Sequence, residues 1–423
     1  MSVAVNFRMA TQLTGSRVLL WSLLGRLPNA MSPIGTLLLV SRNTGSVWSG
    51  SLVAGALAGG QAIGGPIVGR LADRRGQRTV GLAAALVNAA ALVALVAASE
   101  HGLALGWQIA PAALTGLSVP LVGPLARSRW VRLSAGEPEL TSAMLALDGI
   151  VDEVSFTAGP ALVGMLATAV SPSAGMLTAA VLSGVCATLF ALHPTAETAA
   201  TAATGVPAPV HAQSQSAERL FNTPYLLLMA GMALLGACFG SVQVGITATT
   251  EALGRPGSAG LLYGFLGCTS SIAGIATASL PARWGLPPRL RAGTALLFTA
   301  SCVLFFADGS LVALTAAVGF LGVAVAPQMI TMFGLVERTV PAARLGEAMA
   351  ALVSALILAQ SAGTFVSGWA ADHFSPGAPF AVTAAAAATA LVLTACTATE
   401  HRFRRRHSTP PAPVAAKAAS PAA

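Results

Sequence analysis

Three carboxylates fall close together inside one long apolar stretch of this 423-residue chain: Asp148, Asp152 and Glu153. Asp148, Asp152, Ser155 and Gly159 are spaced four, three and four apart. On a helix they share one face, with Glu153 turned about 100° away. From an inner helix end near residue 140, Asp152 lies about 18 Å along the axis, a depth close to the middle of a bilayer. A charge at that depth costs about 2.5–3.5 kcal/mol on insertion scales, and it persists when paired or when it binds protons or substrate. Arg26 is the natural partner, because it sits about nine residues into the first apolar run, at a depth similar to that of Asp148. A guanidinium does not readily lose its proton. It can hold a carboxylate ionised, release it when a proton binds, or bind an anionic solute. A static ion pair that only stabilises the fold is the other reading of the same residues.

The elements that must position these groups are membrane helices. Hydrophobic residues make up 55% of the chain and charged residues 9%, with a mean hydropathy of +0.74. Soluble domains carry about 25% charge, so a soluble fold would lack the polar surface to cover itself. The apolar runs are continuous rather than alternating, which favours helices over a barrel, and about 20 residues suffice to cross the hydrocarbon. Twelve spans are expected, at about 17–41, 47–69, 79–98, 103–126, 140–168, 172–193, 223–250, 257–281, 290–308, 311–336, 346–370 and 376–397. Residues 1–193 then form an N-terminal six-helix bundle and 223–400 a C-terminal one. Between them 194–222, rich in Ala, Thr, Pro, Gln and Ser, reads as a cytoplasmic linker. Residues 401–423 read as a disordered basic tail.

The net charge is +8, carried almost wholly by arginine. Arg70, Arg74, Arg75, Arg78, Arg127, Arg129, Arg132, Arg219, Arg283, Arg289, Arg291, Arg338 and Arg344 fall in loops on one side, against Arg42 and Arg255 on the other. That asymmetry places both termini in the cytoplasm and makes orientation in the inner (cytoplasmic) membrane, not nucleic-acid binding, the cause of the basic balance. The five cysteines lie within or at the ends of apolar spans without a C-x-x-C pair. They read as packing residues, and no metal site is expected. The first span is too long for a signal peptide's apolar core and lacks a clear cleavage site.

One loop carries a specific resemblance. Gly69-Arg70-Leu71-Ala72-Asp73-Arg74-Arg75-Gly76-Gln77-Arg78 lies between the second and third spans. Its G-x-L-x-D-R-x-G-x-R pattern resembles the signature loop of the major facilitator superfamily of secondary transporters. Gln77 departs from it, standing where that family usually has Arg or Lys. Arg283-Trp284-Gly285, followed by Arg289 and Arg291, looks like a decayed copy between spans eight and nine. The resemblance implies an all-α integral membrane fold with twelve transmembrane helices in two pseudo-symmetric six-helix bundles, and a monomer. It also implies a cytoplasmic gate at Gly69, Asp73, Arg74, Gly76 and Arg78. There Asp73 and Arg78 lock the halves through span eleven when the protein opens outward; the plainer reading is that the arginines only fix topology.

Span five continues as Gly159-Pro160-Ala161-Leu162-Val163-Gly164. Gly159, Pro160 and Gly164 resemble the fifth-helix motif of the antiporter branch, with Ala146, Ser155 and Val163 where glycines are usual. The fourth span lacks the arginine motif of drug–proton antiporters and holds Gln108 instead. The second half has no acid deep in a span, and its cavity candidates are neutral: Gln243, Thr247, Gln328 and Gln360. A lone amide on a membrane helix serves as interhelical glue at least as often as it touches substrate.

Arg26, Asp148, Asp152 and Glu153 thus stand as the charge cluster for proton coupling, with the proton gradient rather than a cofactor as energy source. A small organic molecule, protons and the lipid bilayer are the expected partners. The span-five resemblance makes proton-coupled export the expected function, with proton-coupled or facilitated uptake on the same scaffold as the alternative and a non-transporting sensor behind both. No nucleophile–base pair, phosphate loop or metal-ligand spacing points to an enzyme.

Overall fold

Proline and glycine punctuate the helices as much as hydropathy does. The computed structural model describes residues 15–134, 137–196, 222–278, 285–307, 309–340 and 345–407. All regular elements among them are helical: α1 Ser16–Thr44, α2 Val47–Arg75, α3 Gln77–Glu100, α4 Leu105–Leu117, α5 Val122–Leu133, α6 Pro138–Ala169, α7 Pro172–Val181, α8 Thr188–Leu192, α9 Thr223–Ala252, α10 Ser258–Ala278, α11 Leu286–Phe305, α12 Leu311–Thr339, α13 Leu345–His373 and α14 Ala378–His407. A π-turn, Leu182–Ala187, joins α7 to α8 within one span. Side-chain caps start several of these helices. Ser46 Oγ accepts from the Ser49 amide at 3.1 Å, Ser171 Oγ from Ala174 at 3.1 Å and Asn222 Oδ1 from Tyr225 at 2.9 Å. Most of the linker (197–221), the tail beyond residue 407, Arg283, Trp284, Asp308 and Arg344 lie outside the described residues.

Among the described residues, eleven segments are long and apolar enough to cross a membrane. The ninth expected span, α11, falls short because Pro287, Pro288, Arg289 and Arg291 crowd its first turns. The fourth span differs from expectation in another way. It runs on to Leu133 and breaks between α4 and α5, where Val119 and Pro120 leave the helix. Proline forbids helical continuation through its missing N–H and restricts the residue before it. The break carries Arg127, Arg129, Trp130 and Arg132 from the expected loop into helix.

Helices α1–α8 pack among themselves, as do α9–α14, and the two halves meet chiefly along two seams, α2 with α13 and α6 with α10. The seams are close only on the side where α1 ends and α2 begins, here called the far side. Ser361 Oγ donates to the Gly55 carbonyl at 2.6 Å, and Ser46 Oγ to Asp372 Oδ2 at 2.6 Å. Trp48 stacks edge-on against Phe365 at 4.7 Å. An added Cβ on Gly164 would lie 2.6 Å from Gly260 Cα, and one on Gly368 2.1 Å from Ser51 Cβ. Glycine lets backbones approach this closely. A small apolar core of Leu37, Val47, Ala54, Val244 and Ala248 also joins the halves there.

Towards the loop that carries Arg70–Arg78, the arginine side, the same helix faces part. Ile63 and Ile67 continue the α2 face beyond Gly59 and are 58% and 53% exposed. Ile275 continues the α10 face beyond Ser271 and is 72% exposed. Among the described residues, the helix faces are closed on the far side and open on the arginine side.

Candidate functional site

Three helices bring a charge cluster together inside the first half. Proline-bearing α1 places Arg26 ten residues beyond Ser16, α5 supplies Arg127, and α6 supplies Asp148 and Asp152 one turn apart. Gly123, which opens α5, permits the approach. A Cβ there would lie 3.3 Å from Asp152 Oδ1 and 3.7 Å from the Arg26 guanidinium carbon. Arg26 donates to Asp148 Oδ1 through Nη2 and to Asp152 Oδ1 through Nη1 at 2.6 Å. Its Nη1 also reaches the Asp148 carbonyl at 3.2 Å. Arg127 mirrors this, with Nε on Asp148 Oδ2 at 2.9 Å and Nη2 on Asp152 Oδ2. Trp130 Nε1 adds a third donor to the Asp148 carboxylate, on Oδ1 at 3.0 Å.

Two guanidinia thus face two carboxylates, and the charges sum to zero. Such charge-assisted, geometrically matched bonds are the strong kind. Burial is graded across the cluster. The Asp148 side chain is 2% and Arg26 5% exposed, whereas Asp152 is 24% and Arg127 49% exposed. Asp148 is the anchored member, and Asp152 and Arg127 border the space beyond.

Glu153 does not join the cluster, although the sequence reading grouped it there. The helical turn aims it at α10, where its Oε1 accepts from the Ser271 hydroxyl across the two halves. Conversely, Arg127 and Trp130 were missed, because the reading ended the fourth span at residue 126. Their spacing of three, once helical, puts both on the α6 side.

The gate residues lie as the open arginine side dictates. Gly76 alone joins α2 to α3, at φ +91 and ψ 144, a backbone region that only glycine enters without strain. Asp73 and Arg74 are exposed at the end of α2, and Asp73 makes no salt bridge among the described residues. Among the described residues no bond joins Asp73 to span eleven, and the α2 face on this side is exposed at Ile63 and Ile67. Arg78 is exposed at the start of α3, and Gly69 lies beside Leu121.

Gln77, the departure from the family pattern, is buried and occupied. It donates to Ser128 Oγ at 2.7 Å and accepts from Arg129 Nε at 2.9 Å. Arg129 is fully buried, reaches the Phe190 carbonyl at 2.8 Å and lies 3.9 Å over the Phe190 ring. Burial and then the Arg129 charge push the nearby His193 imidazole below its usual pKa. A cation at position 77 would face a guanidinium already enclosed. Gln77→Arg is therefore expected to cost on the order of 3 kcal/mol, the scale of an uncompensated buried charge. Adding Arg129→Gln should restore most of the loss, read from thermal unfolding midpoints in detergent.

In the span-five motif, Gly159 packs on Ala30 of α1, and Gly164 and Pro160 meet Gly260 of α10. The bulk of Val163, where the motif has glycine, is taken up by Gly35 and Gly175, whose Cβ positions would lie 3.0 and 2.7 Å from its Cγ2.

The cavity candidates fare differently. Gln108 sits at the far end of α4 and donates to the Leu103 carbonyl at 2.8 Å, clipping a turn rather than lining a cavity. Gln243 and Thr247 lie in the closed far part of α9, both buried, with the Thr247 hydroxyl on the Gln243 carbonyl at 3.0 Å. Gln328 is 1% exposed and backs onto Gly293 inside the second half. Gln360 alone of the five is partly exposed, on α13. A polar pair that the sequence reading overlooked, Gln61 Nε2 to Asn29 Oδ1 at 2.7 Å, lines a small cleft with Asn88 and Thr115 in the first half.

The family model described as Major Facilitator Superfamily matches residues 22–320. No curated protein matches the sequence significantly. Among solved structures, a mutant of the nucleoside transporter NupG superposes with a TM-score of 0.70 at 14% identity, covering 92% of this chain and 99% of its own. A bacterial homologue of the iron transporter ferroportin, in an inward-facing state, gives 0.66 at 17%, with 90% and 97% covered. The human organic anion transporter MFSD10 (TETRAN) gives 0.59 at 18%, with 89% and 99% covered.

Proposed function

The chain belongs to the Major Facilitator Superfamily, a family of membrane transporters and not of enzymes, and we propose that it exports a small organic molecule across the cytoplasmic membrane in exchange for protons. The observation that carries this reading is the pair of seams, closed on the far side and open on the arginine side, with the α6 carboxylates where they part. Alternating access needs such halves to rock about a central site. In this reading the arginine side is cytoplasmic, as its basic loops imply, and the protein works as a monomer.

The Gly159-Pro160 and Gly164 packing of α6 against both α1 and α10 supports the exchange direction. Uptake is the second reading, and the missing glycines at Ala146, Ser155 and Val163 favour it. By their own descriptions the three solved structures above are a nucleoside transporter, a homologue of an iron transporter and an organic anion transporter, so the fold does not name the solute. The charge-balanced cluster suits an amphipathic organic solute better than a bare inorganic ion. Solute-evoked proton movement in everted membrane vesicles tests the proposal. A compound that discharges the gradient only where the chain is present supports exchange, and a panel with no such compound removes it.

A further inference from the structure

Of the three carboxylates on α6, Glu153 stands in a setting that the other two do not share. Asp148 and Asp152 are each bound by both Arg26 and Arg127. Among the described residues Glu153 is the one carboxylate in the middle of a span that meets no cation. It is exposed, and its partner is the Ser271 hydroxyl of the other half. That contact marks the end of the α6–α10 seam. One turn further along, a Cβ on Gly149 would find nothing within 4 Å, and the Ile275 side chain is exposed.

We propose that Glu153 is the proton-binding residue whose ionisation state decides whether the arginine side can close; this deepens the proton-coupled reading above and rests on it. Closing that side requires the faces beyond Glu153 and Ser271 to pack as the far-side faces do now. Glu153 is then enclosed between α6 and α10. An ionised carboxylate enclosed without a cation is strongly disfavoured, whereas a neutral carboxyl can both donate and accept beside Ser271. Ionised Glu153 therefore holds the arginine side open, and protonated Glu153 releases it.

Asp148 and Asp152 are poor candidates for this task, since protonating either strands a guanidinium. Among the described residues the neighbouring helices bring no rival group. Arg26 of α1 and Arg127 of α5 are committed to the aspartates, Arg129 is engaged with Gln77, and Arg132 also has a partner. Helix α7 has no ionisable side chain, and α10 brings only Tyr263 and Cys268.

The test uses the full chain in lipid nanodiscs, without its native cysteines, spin-labelled at Ile67 and Leu358 across the other seam. Acidification is expected to shift the wild-type distance distribution from long to short. Glu153→Gln should give the short distance at every pH. Ser271→Ala, a milder change, should keep the response but displace its midpoint, and Asp152→Asn should not remove it. A Glu153→Gln protein that still responds to pH as wild type does would overturn this assignment and leave proton coupling intact. A wild type that ignores pH also overturns it. Proton movement in vesicles then decides whether the coupled reading falls with it.

Discussion

Asp148→Ala is expected to lower the stability of the protein by about 3–5 kcal/mol, the usual loss when one partner of a buried ion pair is removed. Asp148 accepts from Arg26, Arg127 and Trp130 with its side chain 2% exposed. Its removal leaves two guanidinia facing one carboxylate, and an indole N–H without its acceptor. Arg26 is enclosed and cannot turn to water for compensation. Asp148→Asn keeps the shape and an acceptor but not the charge, and it should fall between wild type and alanine. The double variant Arg26→Gln with Asp148→Asn removes both charges and should recover most of the loss. Thermal unfolding midpoints and the yield of monodisperse protein in detergent measure the series. An Asp148→Ala midpoint equal to wild type would show that the cluster contributes nothing to the fold.

The second large effect belongs to the far-side seam. A side chain on Gly164 meets the Gly260 backbone at 2.6 Å, and one on Gly260 meets Gly164 Cα at 2.4 Å. Both partners are backbone, so no rotamer change makes room. Overpacking costs about 1–3 kcal/mol in a rigid core. Here the strain has an outlet, because separating α6 from α10 relieves it. Gly164→Val is therefore expected to open the far side rather than unfold the chain. A cysteine at Ser51, fully buried beneath Gly368, reports the change in a background without native cysteines. It should be inert to a membrane-impermeant thiol reagent in the parent and react at least tenfold faster beside Gly164→Val. Equal reactivity would place the seam's closure elsewhere.

Much of this was legible from spacing. The 4-3-4 run through Asp148 and Asp152 put both acids on one face, and the depth of Arg26 identified its partners, because helix geometry is local. The family loop and the glycines of α6 were legible for the same reason. Arg127 was not, because hydropathy ends a span where charge begins. Only the break at Pro120 and the carboxylates of another helix explain how Arg127 joins the cluster. Gln77 read as a defect in a pattern until Arg129 was seen against it, and that contact spans 52 positions of sequence. The burial of Gln108, Gln243 and Gln328 was not legible for a further reason. Which face of α4, α9 or α12 borders the opening depends on the state of the whole molecule, and no single helix encodes that state. Glu153 was legible as an acid turned away from its neighbours, but what it turns towards lies on a helix of the other half.

The central claim is that the chain exchanges an organic solute for protons. Everted vesicles containing the protein, acidified inside and read with a pH-gradient dye, test it most directly against a chemically diverse panel. The account predicts that at least one compound discharges the gradient in these vesicles and not in vesicles without the protein. A panel in which no compound moves protons, while the same vesicles take up one of those compounds, would contradict it.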